Sequence, residues 1–116
     1  MRIARRSWLL VSLFALSCGG GAIGSSGRLV GGACQTSSQC DFVCHDDSHY
    51  PGGYCTVRCA SDVECPTGTA CVEDGGGICA VLCKAQAECS GWGRGYSCDN
   101  VRRRGGGGEH LVCRVD

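Results

Sequence analysis

Apolar side chains are concentrated near the start of the chain and are sparse after it. Residues 7–16 are mostly apolar, and Arg2, Arg5 and Arg6 precede them. A basic stretch followed by a short apolar core and small residues is the layout of a secretory signal, whereas a membrane-spanning helix needs about 20 apolar residues. The pattern therefore predicts an exported protein whose signal peptide covers residues 1–17.

The residues that end this signal resemble the lipobox of bacterial lipoproteins. They read Ala15-Leu16-Ser17-Cys18, and Gly19 follows. In that family the cysteine thiol is diacylated and the chain is cut before the cysteine. The resemblance implies a cut between Ser17 and Cys18, a lipid on Cys18 and, because Gly19 is not acidic, sorting to the outer membrane. An ordinary signal peptide cut near Ser17 is the alternative.

Glycine, serine and alanine dominate residues 19–33. A chain of this composition is a flexible coil with a root-mean-square reach of roughly 5–6 Å × √n, or about 20 Å for this length. We therefore expect a Gly/Ser-rich tether over residues 18–33, running from the lipidated Cys18 to the folded part.

From residue 34 onward, polar and apolar positions follow a cysteine period. The pattern C-x5-C-x(3–8)-C-x(7–14)-C occurs three times, with its first cysteine at residues 34, 59 and 83. A fixed period of this length is typical of repeated structural units. The sequence predicts three tandem modules, over residues 34–58, 59–82 and 83–116.

Each module has the same order of predicted elements. The residues between its first two cysteines are polar, and Thr36-x-x-Gln39 and Ser61-x-x-Glu64 match a capping box, so one helical turn is expected there. A strand begins at the third cysteine, a glycine turn follows, and an apolar residue precedes the fourth cysteine each time: Tyr54, Ile78 and Val112. The predicted fold is small and disulfide-rich, with one helical turn and one short β-hairpin per module and little other regular secondary structure.

The cysteines decide how such a chain is held together. There are 13 of them in 116 residues, and Cys18 lies outside the repeats, so the other twelve form three sets of four. In an exported protein these twelve are expected to form disulfides. Four cysteines allow three connectivities, and the one that joins first to third and second to fourth is favoured because it ties the helical turn to both strands. It gives the pairs Cys34–Cys44, Cys40–Cys55, Cys59–Cys71, Cys65–Cys79, Cys83–Cys98 and Cys89–Cys113.

Residues 51–71, PGGYCTVRCASDVECPTGTAC, resemble the repeats of cysteine-rich lipoproteins that are abundant in myxobacteria and their relatives. Those repeats follow a GGYC-x3-C-x5-CP-x-G-x2-C pattern, which is matched here by Gly52, Gly53, Tyr54, Cys55, Cys59, Cys65, Pro66, Gly68 and Cys71. The resemblance implies a bacterial outer-membrane lipoprotein built from tandem modules. The module is also loosely similar to EGF-like and dickkopf-type repeats.

Charge and core size exclude several classes of function. The full chain has 11 basic and 11 acidic residues, but loss of residues 1–17 removes three arginines and leaves a net charge of about −3. That charge gives no electrostatic reason for binding nucleic acid. Leu, Ile, Val and Phe number only 15 after residue 17, too few for a large core with a deep pocket. Because no catalytic motif is present in the sequence either, we expect neither an enzyme nor a cofactor.

Two groups of polar side chains are weak candidates for metal binding. Imidazoles and carboxylates that could hold a divalent metal surround the first hairpin turn: His45, Asp46, Asp47 and His49. Carboxylates that could bind Ca²⁺ lie in the second module: Asp62, Glu64, Glu73 and Asp74. A polar hairpin tip explains the first group, and caps and turns explain the second, so no metal is predicted.

Candidate binding residues lie in the third module. Exposed aromatic side chains on a rigid scaffold anchor sugars or proteins, which makes candidates of Trp92, Arg94 and Tyr96. A mobile basic tip for an anionic polysaccharide or lipid headgroup is predicted at Arg102, Arg103 and Arg104, which four glycines follow. The alternatives are a small core for the aromatic residues and plain solvation for the arginines.

These expectations describe a non-enzymatic, surface-tethered, cysteine-rich lipoprotein that acts as an extracytoplasmic binding or structural module. Its expected partners are the lipid bilayer, through acyl chains on Cys18, and a protein or envelope glycan. The expected location is the outer membrane or cell surface, with a periplasmic or secreted location as the alternative. The second class of function is a secreted inhibitor or toxin-like effector, because small stapled modules can present a rigid loop to a protease.

Overall fold

Three small β-hairpins, each held by disulfides, make up the regular structure of the protein. The computed structural model describes residues 21–116, so the predicted signal peptide and Cys18 lie outside the described residues. The strands form three two-stranded antiparallel sheets: β1 (Val43–His45) with β2 (Tyr54–Thr56), β3 (Thr69–Val72) with β4 (Ile78–Val81), and β5 (Tyr96–Arg102) with β6 (Glu109–Val115). The prediction of a small disulfide-rich protein with short hairpins is confirmed.

Each hairpin places two cysteines directly opposite each other. Cys44 faces Cys55, Cys71 faces Cys79, and Cys98 faces Cys113. Directly opposed residues of an antiparallel pair point to the same side of the sheet. Both disulfides of a hairpin therefore cover the same face of it. We refer to residues 34–58, 59–82 and 83–116 as the first, second and third segments.

A short 3₁₀ helix precedes each hairpin. These helices span Ser37–Gln39, Asp62–Glu64 and Gln86–Trp92. In each one a Gln or Glu side chain accepts a hydrogen bond from a backbone amide four residues earlier: Gln39 from Gln35 at 2.6 Å, Glu64 from Ala60 at 2.6 Å, and Glu88 from Lys84 at 2.6 Å. These amides lie two residues before their helices, so each side chain holds the incoming chain against the start of its helix.

The segment before the first cysteine differs from the expected flexible tether. Residues 22–32 fold against the hairpins, with Val30 fully buried. Gly31 donates its amide to the Cys55 carbonyl at 2.8 Å, and the Cys55 amide donates to the Gly32 carbonyl at 2.8 Å. A Cβ on Gly31 or Gly32 would overlap the carbonyl oxygen of Gly24 or Gly27, so glycine lets this segment fold back on itself. The burial of Val30 offsets part of the conformational entropy that the segment loses. The coil prediction for residues 18–33 is therefore wrong for its described part.

One core runs through all three segments. Its fully buried side chains include Tyr50, Tyr54, Val72, Ile78 and Val112. Single β-bridges also join neighbouring segments, between Arg58 and Ile78, between Val72 and Arg103, and between Leu82 and Val112. The disulfides therefore act together with a small core that the three segments share.

A substitution in the glycine-rich turn of the third hairpin can test this packing between segments. Gly105 has φ +79°, and a Cβ at that position would overlap the carbonyl oxygen of Ala60 in the second segment. Gly105→Ala should therefore destabilise the protein by about 1–3 kcal/mol, which corresponds to a fall in Tm of roughly 4 °C or more. Thermal unfolding followed by circular dichroism, with the disulfides intact, measures the change.

Gly107 in the same turn provides the matched control. It has no heavy atom within 4 Å of an added Cβ, and its φ lies outside the left-handed region. Gly107→Ala should leave Tm nearly unchanged. Equal Tm values for the two variants would show that the turn does not pack on the second segment.

Candidate functional site

The sulfur atoms of the described chain are all in disulfides. The bonds are Cys34–Cys44, Cys40–Cys55, Cys59–Cys71, Cys65–Cys79, Cys83–Cys98 and Cys89–Cys113. In each segment this is the first-to-third, second-to-fourth arrangement that the sequence analysis favoured. Three sulfurs of each segment lie within 4.8 Å of one another, but as disulfides they offer no thiolate to a metal or a substrate.

A polar network joins the three segments around Asp74. Its carboxylate accepts two hydrogen bonds from Nη1 of Arg114, at 2.8 and 3.0 Å, and one from the Tyr50 hydroxyl at 2.9 Å. Nε of Arg114 also donates to Asp99 at 2.9 Å. The Asp74 and Arg114 side chains are only 11% and 12% exposed. The network therefore holds the second hairpin turn against both of the other segments.

Burial and charge set the ionisation of this network. Burial raises the pKa of Tyr50 far above its usual value, and the Asp74 carboxylate raises it further. Desolvation acts to lower the pKa of Arg114, but hydrogen bonds to Asp99 and Asp74 raise it overall. The tyrosine thus stays neutral and donates, and the arginine stays charged. Asp74 was a candidate calcium ligand, but its carboxylate is engaged by Arg114 and Tyr50.

A second network binds the third hairpin to the second segment. The Asp62 carboxylate accepts hydrogen bonds from three donors: the backbone amide of Cys71 at 2.9 Å, Nη2 of Arg103 at 2.8 Å, and Nε2 of His110 at 3.0 Å. Partial desolvation acts to raise the pKa of Asp62, but these three donors hold it below its usual value. Beside it, Arg104 pairs with Glu73 at 3.3 Å. Two further calcium candidates, Asp62 and Glu73, are therefore paired with arginines.

These contacts also change the interpretation of the three consecutive arginines. Arg103 and Arg104 form ion pairs, and the backbone around them bonds to the second segment, with Arg104 donating to Cys71 and Glu73 donating to Arg102, each at 3.0 Å. Arg102 is exposed, whereas Arg103 and Arg104 are partly buried. The third hairpin therefore packs its basic residues against the second segment, which differs from the expected mobile tip.

The polar cluster of the first hairpin is also used in packing. Nε2 of His45 bonds to Asp47 at 2.7 Å, and Nδ1 of His49 bonds to the carbonyl oxygen of Val115 at 2.7 Å. Asp46 is exposed. Within residues 21–116, the only ligand groups close enough to hold a metal are the disulfide-bonded cysteines. The two imidazoles thus serve separate contacts and do not converge.

The aromatic pair of the third segment faces the amino-terminal segment. Trp92 and Tyr96 stack with their ring centroids 6.1 Å apart, and Nε1 of Trp92 donates to the Gly31 carbonyl at 2.8 Å. Tyr96 is 9% exposed; burial, with the carboxylates of Asp47 and Asp46, raises its pKa to about 12. The pair therefore acts as part of the core, which is the alternative considered for it, while Arg94 is exposed.

The exposed apolar side chains are elsewhere. The most exposed are Val63 at 88% and Phe42 at 59%, and Leu82 and Leu111 are about two-fifths exposed. An open depression of about 510 Å³ lies at the third hairpin turn between Arg102 and Glu109. The sequence analysis missed these apolar residues because nothing in short, irregular segments distinguishes an exposed valine from a buried one.

Comparisons with known proteins give no family for this chain: no family model, no curated protein and no solved structure matches it. Among the described residues, no helix has the length and hydrophobicity that are needed to cross a bilayer.

Removal of the Asp74 carboxylate should expose how much the first network contributes. Asp74→Ala leaves the largely buried Arg114 with Asp99 as its remaining acidic partner and removes the acceptor of the Tyr50 hydroxyl. Breaking a buried pair in this way should cost about 3 kcal/mol, measured as a fall in Tm. Asp46→Ala, which removes an exposed carboxylate from the first hairpin turn, is the control and should have little effect. Similar losses in both variants would contradict the role given to Asp74.

The second network should make stability depend on acid. Because the pKa of Asp62 is lowered by folding, its contribution is complete above the ordinary carboxyl pKa of about 3.9 and is lost as the pH falls through the lower folded-state value. Asp62→Asn should therefore lower the free energy of unfolding by about 1–2 kcal/mol near neutral pH, and this difference should shrink as the pH falls below about 4. Urea titrations over that range measure it. Glu109→Gln, which removes an exposed carboxylate from the third hairpin, is the control. If the difference in unfolding free energy between Asp62→Asn and the unaltered protein did not change with pH, the proposed link between Asp62 ionisation and stability would be refuted.

Proposed function

We propose that this chain is an exported lipoprotein, anchored by a lipid on Cys18, that works without catalysis as a binding or structural unit at the outer membrane or cell surface. The cysteine count is the observation that carries the proposal. Of 13 cysteines in the sequence, the twelve from Cys34 onward are all paired with one another. None of them is left for Cys18, which stands at the end of the predicted signal.

The disulfides also support export. Stable disulfides form in oxidising compartments, such as the periplasm and the cell exterior, and are rare in the cytosol. In a reducing compartment the protein would lose these six cross-links and the stability that they provide.

In this proposal the three segments are copies of one module. Each has a 3₁₀ helix that ends just before its second cysteine or contains it. Each also has a hairpin that contains its third and fourth cysteines, and the same disulfide connectivity. The match in connectivity and in register of the opposed cysteines favours duplication of a single unit over three unrelated solutions.

The binding surface, in this proposal, is formed by exposed loop residues. Phe42 and Val63 are exposed, and each lies two residues from a disulfide-bonded cysteine, so they can enter an interface at little cost in conformational entropy. The partner is a protein or an envelope glycan. The net charge of about −3 after residue 17 argues against nucleic acid.

A secreted inhibitor or toxin-like effector is the second candidate. Val63 supports it, because this 88% exposed side chain lies on a 3₁₀ helix between Cys59 and Cys65, and both of these cysteines are cross-linked to the second hairpin. A rigid loop with a protruding apolar residue suits the pocket of a protease. Stoichiometric inhibition in a protease panel, lost in Val63→Asp, would favour this candidate.

Replacement of the proposed lipid-bearing residue tests the main proposal. Cys18→Ser should abolish incorporation of labelled fatty acid and move the protein from the detergent-extracted membrane fraction to the soluble fraction, because no acyl chains would remain to hold it. Metabolic labelling and fractionation of a Gram-negative host measure both effects. Gly20→Ser, two residues away, is the control and should leave labelling and fractionation unchanged.

The outcomes separate the two candidates. Retention of the Cys18→Ser protein in membranes would contradict the lipid anchor. Export of the unaltered protein without any lipid would favour the secreted inhibitor or effector.

A further inference from the structure

The folded body begins only a few residues after Cys18. The carbonyl of Ala22 accepts hydrogen bonds from the amides of Leu29 and Val30, each at 3.1 Å. Ile23 forms a β-bridge with Val30, and Val30 is fully buried in the core that the three segments share. The position of Ala22 is therefore fixed relative to the whole body.

The short distance along the chain limits how far the body can lie from a lipid on Cys18. Three glycines, residues 19–21, lie between Cys18 and Ala22, and the four steps from Cys18 to Ala22 span at most about 14 Å when the chain is fully extended. A flexible coil over all of residues 19–33 would let the body drift by about 20 Å and rotate freely. The observed folding of residues 22–32 removes most of that freedom.

The surface next to this attachment point can be identified. Ser25 lies against Gly91, since a Cβ on Gly91 would be 2.8 Å from the Ser25 hydroxyl oxygen. Trp92 is bonded to Gly31. Gly91 and Trp92 therefore adjoin the amino-terminal stretch, and we call residues 21–28 and 91–94 together the anchor face.

The charge of the anchor face differs from that of the rest of the protein. It contains two arginines, Arg28 and Arg94, and no acidic residue, whereas the chain after residue 17 has a net charge of about −3. Both arginines are exposed. Arg28 forms an ion pair with Asp41, with Nε and Oδ1 3.7 Å apart and the two side chains 60% and 47% exposed. Because such an exposed pair contributes little free energy, Arg28 can still bind a phosphate. An anionic lipid surface would attract this face and repel the acidic remainder.

We infer that the anchor face lies against the phospholipid headgroups, held there by the short connection to the lipid on Cys18. The inference rests on the proposed lipidation and adds an orientation to it. The bilayer contacts residues 21–28 and 91–94, and the body is held with a defined side toward the membrane. Arg28 and Arg94 contact the headgroup phosphates.

The single tryptophan that remains after residue 17, Trp92, provides a native probe. The purified lipidated protein is reconstituted into vesicles of phosphatidylethanolamine and phosphatidylglycerol that contain a dansyl-headgroup lipid, and energy transfer from Trp92 to dansyl is measured. A variant carries a twelve-residue Gly/Ser spacer between Gly20 and Gly21, which adds a root-mean-square reach of about 20 Å. The control variant carries the same spacer after Asp116.

Energy transfer in the unaltered protein and in the control should be at least twice that in the variant with the amino-terminal spacer, because transfer falls steeply with distance. Equal transfer in all three proteins, when mass spectrometry shows lipid on the amino-terminal peptide of each, would overturn the inference and leave the proposed function intact. Absence of lipid from that peptide in the unaltered protein would instead overturn the proposed function, and the inference with it.

Discussion

The placement of opposed cysteines on each hairpin is the constraint on which the rest of the structure depends. Cys55, Cys79 and Cys113 each lie across from the third cysteine of their segment, so both disulfides of a hairpin occupy one face. Strand residues alternate between faces, and the residue before each fourth cysteine therefore points to the sulfur-free face. Those residues, Tyr54, Ile78 and Val112, are all fully buried. The sulfur-free face thus supplies these three side chains to the shared core, and the disulfide-bonded cysteines of the second and third hairpins, such as Cys71, Cys79 and Cys113, are buried in the same core.

Charge pairs then set how the hairpins are oriented relative to one another. Asp74 of the second hairpin turn binds Arg114 of the third segment, and Asp62 of the second segment binds Arg103 of the third hairpin. A small core of valines and tyrosines packs without strong directional preference, whereas a partly buried ion pair is satisfied in only one arrangement. Three of the six carboxylates considered as metal ligands, Asp62, Glu73 and Asp74, form such pairs between segments.

The sequence predicted what is local and missed what is distant. Cysteine spacing and glycine turns placed the hairpins, because a turn and its flanking strands are specified within about ten residues. The partners Asp74 and Arg114 are 40 residues apart, and no spacing rule links them. Composition predicted a coil for residues 19–33, and it could not show that Val30 enters the core or that Gly31 and Gly32 bond to Cys55. The same limit applied to Arg103 and Arg104, whose acidic partners lie in another segment.

The three segments share their buried positions but differ in the lengths of two loops, and this difference bears on the proposed binding function. The spacing between the second and third cysteines changes from three to five to eight residues, and that between the third and fourth changes from ten to seven to fourteen. The residue before the fourth cysteine is fully buried in every segment, and the disulfide connectivity is the same in all three. Variation is thus confined to loops that a rigid scaffold holds in place, which is where binding residues are found in other scaffold proteins. If the chain binds a partner as proposed, Phe42 is the exposed apolar residue that such a loop offers, since it lies between the second and third cysteines of the first segment. A change in the length of that loop would alter the surface without disturbing the core.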